Sequence, residues 1–401
     1  MTTTPPGTER QLTAVIAMMA VAAFCSGFSQ RISDPLLPQI ATDFGVSAGQ
    51  AAAIVTAYAV PYGLTQAFAG VLGDRLGKTQ AVAATCALSC ILVLLCVYAQ
   101  SLPQLTFARF ICAPAAATII PLGMAYVGDT VPYEHRQTVL ARFLTGMMVG
   151  TITGQVAGGV IGDHFGWRAA FLALSLVFIL ASIALTTQIM LRNPWTARTR
   201  RDGGRGPGMI AEYKMLAADP WSRFIILAIF CEGAIFFGSL TYITADLHAR
   251  FDLSFSLVGL VVAGFGVGAV LYAGTVKLLV ARLGQRRLVL GGGIVVMLGY
   301  LALAGQPVWQ IAPVAITALG FGYYMLHNTL QTNATQMLPQ ARGTAVAGFS
   351  SALFLGQSTG VALAAPIIDR AGAVPVFVLA ALLWPMLAVW IARRLARRGV
   401  A

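Results

Sequence analysis

Charge is what this sequence has least of. Only 10% of its 401 residues are Asp, Glu, Lys or Arg, and 14 are acidic. Soluble domains carry about 25% charged residues, so a water-soluble fold of this composition lacks the polar surface to cover itself. Histidine is scarce too, with four in the chain. None stands at metal-ligand spacing from the six cysteines, Cys25, Cys86, Cys90, Cys96, Cys112 and Cys231, which argues against a metal site. Cys86 and Cys90 share a helix face and read as small buried packing residues. There is no phosphate-binding loop for ATP, no H-E-x-x-H and no nucleophile elbow, so no enzyme chemistry or cofactor is expected. Gly264, Gly266 and Gly268 resemble a nucleotide loop only superficially. No strand precedes them, and small residues in an apolar helix serve close packing.

What is abundant is apolar: 58% of residues, with a mean hydropathy of +0.78. The net charge of +12 would suit nucleic acid, but the basic residues sit in short clusters between long uncharged stretches, which excludes that partner. A hydrocarbon core about 30 Å thick needs ~20 apolar helical residues. Such stretches lie near 13–37, 50–71, 80–99, 104–127, 140–162, 167–190, 222–245, 256–280, 287–305, 308–330, 342–367 and 372–392. The expectation is an all-α membrane protein of twelve transmembrane helices. The first stretch is too long for a cleavable signal and more spans follow it.

Lysine and arginine set the orientation. Of the 26, Arg31 and Arg109 fall inside spans; Arg168, Arg250 and Arg370 fall on one side; the other 21 fall on the opposite side with both termini. The predicted topology puts both termini in the cytoplasm of a cell (inner) membrane, with only the bilayer and a small-molecule substrate as partners. The polar stretch 191–221, with Arg198, Arg200, Arg201 and Arg205, reads as a basic linker between six-helix bundles 1–190 and 222–401, lying near anionic headgroups.

The halves repeat. Arg75-Leu76-Gly77 matches Arg282-Leu283-Gly284 at an offset of 207, and Ser47 and Ser254 each stand thirty residues before the matched glycine. Phe24-Cys25-Ser26-Gly27 matches Phe230-Cys231-Glu232-Gly233 at 206, and Gly154-Gln155 resembles Gly356-Gln357 at 202. Two pseudo-symmetric bundles of this kind place a substrate at their interface, at mid-membrane depth.

Charge inside a bilayer costs about 2.5–3.5 kcal/mol per residue, so intramembrane charges are functional candidates. These are Arg31, Asp34, Arg109 and Glu232. Arg31 and Asp34, three apart, share a helix face and form either an ion pair or, with Gln30, a charged cavity wall. Glu232 has no opposite charge within one turn, which makes it the first candidate to carry a proton, with Asp34 second. Its alternative is a permanently protonated acid hydrogen-bonded to a neighbouring helix. Arg109 either repels a proton from a carboxyl, binds an anionic substrate or satisfies backbone carbonyls. Tyr58, Tyr62 and Gln66 form one polar stripe, and Tyr324, His327, Asn328 and Gln331 another. Both are expected to line the cavity; for His327 a simple hydrogen-bonding role competes.

Gly70-Val71-Leu72-Gly73-Asp74-Arg75-Leu76-Gly77-Lys78, between the second and third spans, resembles the loop signature of the major facilitator superfamily. In the fifth span, Gly146, Gly150, Gly154, Gly158 and Gly159 resemble the helix-packing glycines of its bacterial drug–proton antiporters, with Gln155 where that branch has proline. Arg109 resembles the family's intramembrane arginine, with Ala113 in place of a glycine. The resemblance covers the whole chain. It implies a secondary transporter working by alternating access, with Gly70, Asp74, Arg75, Gly77 and Lys78 as a gating loop and Asp74 near a helix N-terminus of the other half. It needs no oligomeric partner. Without an ATP site the energy comes from an ion gradient. One charge crossing 100 mV yields about 2.3 kcal/mol, which supports a roughly 50-fold gradient. The expectation is proton-coupled efflux of small amphipathic molecules. Symport of an anionic metabolite, and a non-transporting receptor on the same fold, are the alternatives.

Overall fold

A computed structural model describes residues 6–69, 76–131, 133–191 and 208–398. Among them the only regular structure is helical. The first half comprises α1 (Pro6–Arg31), α2 (Leu37–Phe44), α3 (Ala48–Ala51), α4 (Ala53–Gln66), α5 (Lys78–Val97), α6 (Leu102–Ala117), α7 (Ile119–Thr130), α8 (Tyr133–Phe165) and α9 (Trp167–Met190). The second comprises α10 (Met209–Ala218), α11 (Pro220–Leu240), α12 (Ile243–Phe251), α13 (Phe255–Val262), α14 (Gly264–Gly305), α15 (Ile311–Ala334), α16 (Arg342–Ala371) and α17 (Val374–Arg397).

The helices begin and stop where local chemistry directs. Ser47 and Ser254 each cap a helix by accepting a backbone N–H three residues on, which satisfies an otherwise orphaned donor. Gly77 and Gly284 adopt φ of 88° and 66°, a region that glycine enters without a Cβ penalty. The paired sequence positions thus take the same local role in each half. α1 breaks after Arg31 into a short 3-10 turn at Asp34–Leu36, and α11 breaks after Leu240, before α12.

Two hydrophobic cores form. One is built almost entirely from residues 15–185 and the other from residues 216–395. α1 packs on α8 in the first half as α11 packs on α16 in the second. The halves meet along two seams, α4 with α16 and α8 with α13.

Nine helical runs among the described residues are long and apolar enough to cross a membrane, three fewer than the twelve spans expected. The differences have physical causes. The run Phe255–Gly305 is 51 residues long, roughly 75 Å at 1.5 Å per residue, and it merges two expected spans across the break at Gly284. α4 ends at Gln66, short of a crossing, and residues 70–75 lie outside the described residues. α15 occupies the tenth expected span but carries His327, Asn328, Gln331, Thr332 and Asn333, which lower its apolarity.

Candidate functional site: a charged hollow between the two halves

The polar residues of α1 and α4 find one another first. Tyr62 Oη accepts from Gln30 Nε2 at 2.8 Å and pairs with Ser26 Oγ at 2.9 Å. Tyr58 Oη donates to Ser29 Oγ at 3.0 Å, and the two tyrosine rings stack. Arg109 of α6 is 1% exposed. Its Nη2 donates to the Ser29 carbonyl at 3.2 Å, and its guanidinium lies 3.9 Å over the Tyr58 ring. Cation–π contact of this kind offsets part of the burial cost. Nε and Nη1 of Arg109 have no hydrogen-bond partner among the described residues.

Arg31 donates to Asp34 Oδ2 at 3.2 Å in a buried pair, and its guanidinium lies 4.4 Å over the ring of Phe237 from the other half. Asp34 Oδ1 is unpartnered, while the Asp34 carbonyl accepts from Thr244 Oγ1 at 2.7 Å. Gln30, Arg31, Val55, Tyr58, Ala59 and Arg109 from the first half close with Phe354 and Gln357 from the second around a hollow of about 10 Å³. That is room for one water molecule. Asp34 and Tyr62 are not on its walls.

Glu232 is fully buried in the second core. Its Oε1 lies 2.6 Å from His327 Nδ1, which Tyr323 Oη also approaches at 3.0 Å. The His327 ring stacks on Tyr323. Glu232 therefore has an ionisable partner, supplied from 95 residues away. The α15 stripe is not on the walls of the hollow in this state. His327 turns into the core toward Glu232, Asn328 faces Tyr272, and Gln331 is exposed. Tyr324 packs edge-on against Tyr323 and lies within electrostatic reach of Arg31 and Glu232. Gln66 instead lines a wide vestibule of about 870 Å³ that opens between Ile120–Leu140 of the first half and Thr335–Ser350 of the second.

The opposite ends of the same helices are shut. Asp163, near the end of α8, accepts from the backbone N–H groups of Phe255 and Ser256 at 2.9 and 2.5 Å, at the start of α13. Asp369, near the end of α16, accepts from the Gly49 N–H at 2.9 Å, at the start of α3. These contacts are pseudo-symmetric: Gly49 and Ser256 are 207 apart, Asp163 and Asp369 are 206 apart. A carboxylate at a helix N-terminus is favoured by the helix dipole. α8 is tightly packed on two sides. Toward α1, within the first half, a Cβ at Gly150 would stand 2.1 Å from the Phe24 carbonyl oxygen, at Gly154 2.7 Å from that of Phe28 and at Gly158 2.5 Å from that of Ile32. At the α8–α13 seam, a Cβ at Gly159 would stand 2.2 Å from the Phe255 carbonyl oxygen. Of the loop between the second and third spans, Gly70, Asp74 and Arg75 lie outside the described residues. Gly77 caps α5, and Lys78 pairs with Asp129.

Sequence reasoning missed several partners. Phe237, Thr244, Phe354 and Asp163 act across the seam, where local spacing carries no signal. In the sequence Gln155 stands out as a replacement for proline and for its likeness to Gln357, not as a buried polar group. It is 1% exposed, and neither atom of its amide has a partner among the described residues. Gln357 lines the hollow. The matching approaches of Gly150 to Phe24 and of Gly356 to Phe230 pair it with Thr151, so the 202-residue register of Gly154-Gln155 with Gly356-Gln357 does not hold in the structure.

A small hollow at the junction of two pseudo-symmetric bundles, with a vestibule between the bundles toward one end and closing contacts at the other, invites comparison with known membrane carriers. The structure matches that of a bacterial homologue of the human lysosomal transporter Spinster in an inward-facing, occupied conformation, with a TM-score of 0.75, 16% identity, and 95% of this chain and 97% of that one covered. It matches the nucleoside transporter NupG at a TM-score of 0.75 and 11% identity, covering 96% and 99%. In sequence, the uncharacterised MFS-type transporter YceJ of Bacillus subtilis is 23% identical over 85% of this chain and 86% of its own length. The chloramphenicol resistance protein of Streptomyces lividans is 27% identical over 88% of each. The sequence model of the Major Facilitator Superfamily matches residues 19–275 and again 240–399. With residues 19–399 covered by two overlapping matches to that model, this multi-pass membrane protein belongs to the Major Facilitator Superfamily, a family of transporters and not of enzymes.

Proposed function

We propose that the chain exports small amphipathic molecules in exchange for protons, by alternating access. The observation that carries this reading is the closed, charged hollow at the seam, with a vestibule on the linker side and twin carboxylate contacts shutting the other. In this reading the halves rock so that the hollow opens first to one side and then to the other. The state described is the inward-facing one. Splitting the run Phe255–Gly305 at Gly284 and adding α4 and α15 brings the nine membrane-length runs to twelve, with both termini on the basic, cytoplasmic side of a bacterial cell membrane. A monomer suffices. The export direction is supported by the likeness to a chloramphenicol resistance protein.

Glu232 is the proton carrier, with Asp34 second. Its contact with His327 gives the proton a neighbouring partner, and Tyr323 and Tyr324 lie within electrostatic reach of both Glu232 and the Arg31 charge. The test is flux in proteoliposomes with an imposed pH gradient, using chloramphenicol as the first probe. Efflux driven by inward proton movement supports the reading; probe moving with protons overturns it. Glu232→Gln should retain probe binding and lose accumulation, and unchanged accumulation would remove Glu232 from the mechanism. Symport of an anionic metabolite is the second reading. It is favoured by the two unpartnered nitrogens of Arg109 beside the hollow, and predicts flux of a carboxylate in the direction of the protons.

A further inference from the structure

A second cavity lies on the lipid-facing flank, away from the transport path. It encloses about 990 Å³ where the end of α4 meets α10, α11 and α16. Its walls are apolar, and Leu64, Phe68, Ile210 and Leu227 among them are 48–70% exposed. Two cations interrupt those walls: Lys214 on α10 and Arg223 in the opening turns of α11. Neither has an ion-pair partner among the described residues. The nearby acids are turned to other tasks. Glu212 accepts from the Thr344 hydroxyl, and Asp219 caps α11 by accepting from the backbone and hydroxyl of Ser222. The cations are therefore free to meet an anion at the headgroup level of the linker-side leaflet.

We propose that this groove holds one anionic phospholipid of that leaflet. Its chains lie against Leu64, Phe68, Leu227 and Leu355, and its phosphate sits on Lys214 and Arg223. Apolar walls accept the chains of any lipid; the two cations choose the headgroup. α4 belongs to one half and the other three helices to the other, and Ser351 Oγ donates to the Gly63 carbonyl at 2.7 Å beside the groove. Rocking the halves reshapes this cavity, so a bound lipid biases the conformational equilibrium. That last consequence rests on the alternating access proposed above; the binding site does not.

The test is binding alone, so its failure is separate from any failure of transport. Full-length protein, delipidated in neutral detergent, is titrated with phosphatidylglycerol and in parallel with phosphatidylcholine, and bound lipid is counted by native mass spectrometry. One phosphatidylglycerol should be retained at least about fivefold more tightly than phosphatidylcholine. Lys214→Gln and Arg223→Gln should each weaken it about fivefold, and the double variant about 30-fold. Phosphatidylcholine binding should not change. Lys214→Arg, which keeps the charge, should bind as the unaltered protein does. Leu227→Trp fills the groove from an exposed position and should expel the tightly held lipid. Thermal unfolding of each variant in detergent separates a lost site from a lost fold. Equal retention of the two lipids, or of phosphatidylglycerol by the double variant, overturns the proposal. So does tight binding that survives Leu227→Trp, because the headgroup would then be held outside the groove.

Discussion

The two halves start from related sequences and part at one buried position. Ser26 and Glu232 occupy matching places in the repeat, 206 residues apart. In the first half the hydroxyl is satisfied locally, by Tyr62 and by the Ala116 carbonyl at 3.0 Å. In the second half the matching residue is a carboxyl group met by His327, whose ring packs against Tyr323, Tyr324 and Phe349. The first half holds its buried charges in Arg109 and in the Arg31–Asp34 pair, which face the hollow or its edge. The second holds a Glu–His contact inside its core. Duplication supplied two equivalent frames, and substitution at a few buried sites gave the first an arginine-rich wall and the second the residue proposed above as proton carrier.

The largest expected effect comes from erasing that difference. Glu232→Ser copies the first half into the second and should abolish accumulation driven by a pH gradient, a loss of roughly 50-fold at 100 mV equivalent. Retention of most of the accumulation would mean that the halves do not divide the work this way. Next is a comparison in which the halves should behave alike. Gly150→Ala and Gly356→Ala each drive a methyl to within 2.1 Å of a carbonyl oxygen, from Phe24 and Phe230 respectively. Each should cost about 1–3 kcal/mol, read as a drop in unfolding temperature in detergent; a drop in only one would show that the packing is not equivalent. Arg109→Lys keeps the charge but loses the planar contact over Tyr58, and should cost about 0.5–2 kcal/mol. An unchanged unfolding temperature would show that charge alone matters there. The smallest effects are expected at the shut end. Asp163→Asn and Asp369→Asn should each favour opening by about 0.3–1 kcal/mol, measured as a change in distance between spin labels placed across the two seams. Additive shifts in the double variant would show two independent latches; no shift in either would deny them a gating role.

Much of this architecture was legible in the sequence. Apolar run length located most helices, because a bilayer imposes a length on any chain that crosses it. The repeat revealed the two-bundle plan, and Ser47, Ser254, Gly77 and Gly284 take matching backbone roles. The count of membrane-length helices was less legible. The spacing placed two spans across residues 256–305, and the chain there is continuous helix but for Gly284. The site was legible only in part. Arg31, Arg109, Gln30 and Tyr58 were identifiable because a charged or polar side chain in an apolar helix stands out. The partner of Glu232 did not, since helices adjacent in space lie up to hundreds of residues apart in the chain, and a histidine on a distant helix carries no periodic mark. The polar stripe of α15 suggested a cavity wall, but a stripe records only that one helix face is polar, not whether it meets a hollow or another buried side chain.

The shut end asks little of the sequence. Its donors at residues 49, 255 and 256 are main-chain amides, which every residue but proline possesses. Chemical identity is demanded of the two acceptors, one near the end of each long helix, and of Gly49, where a Cβ would stand 2.6 Å from both the Asp369 carboxylate and the Ala365 carbonyl oxygen. At residues 255 and 256 only the main chain is addressed, so side chains there are free to drift while the latch still closes.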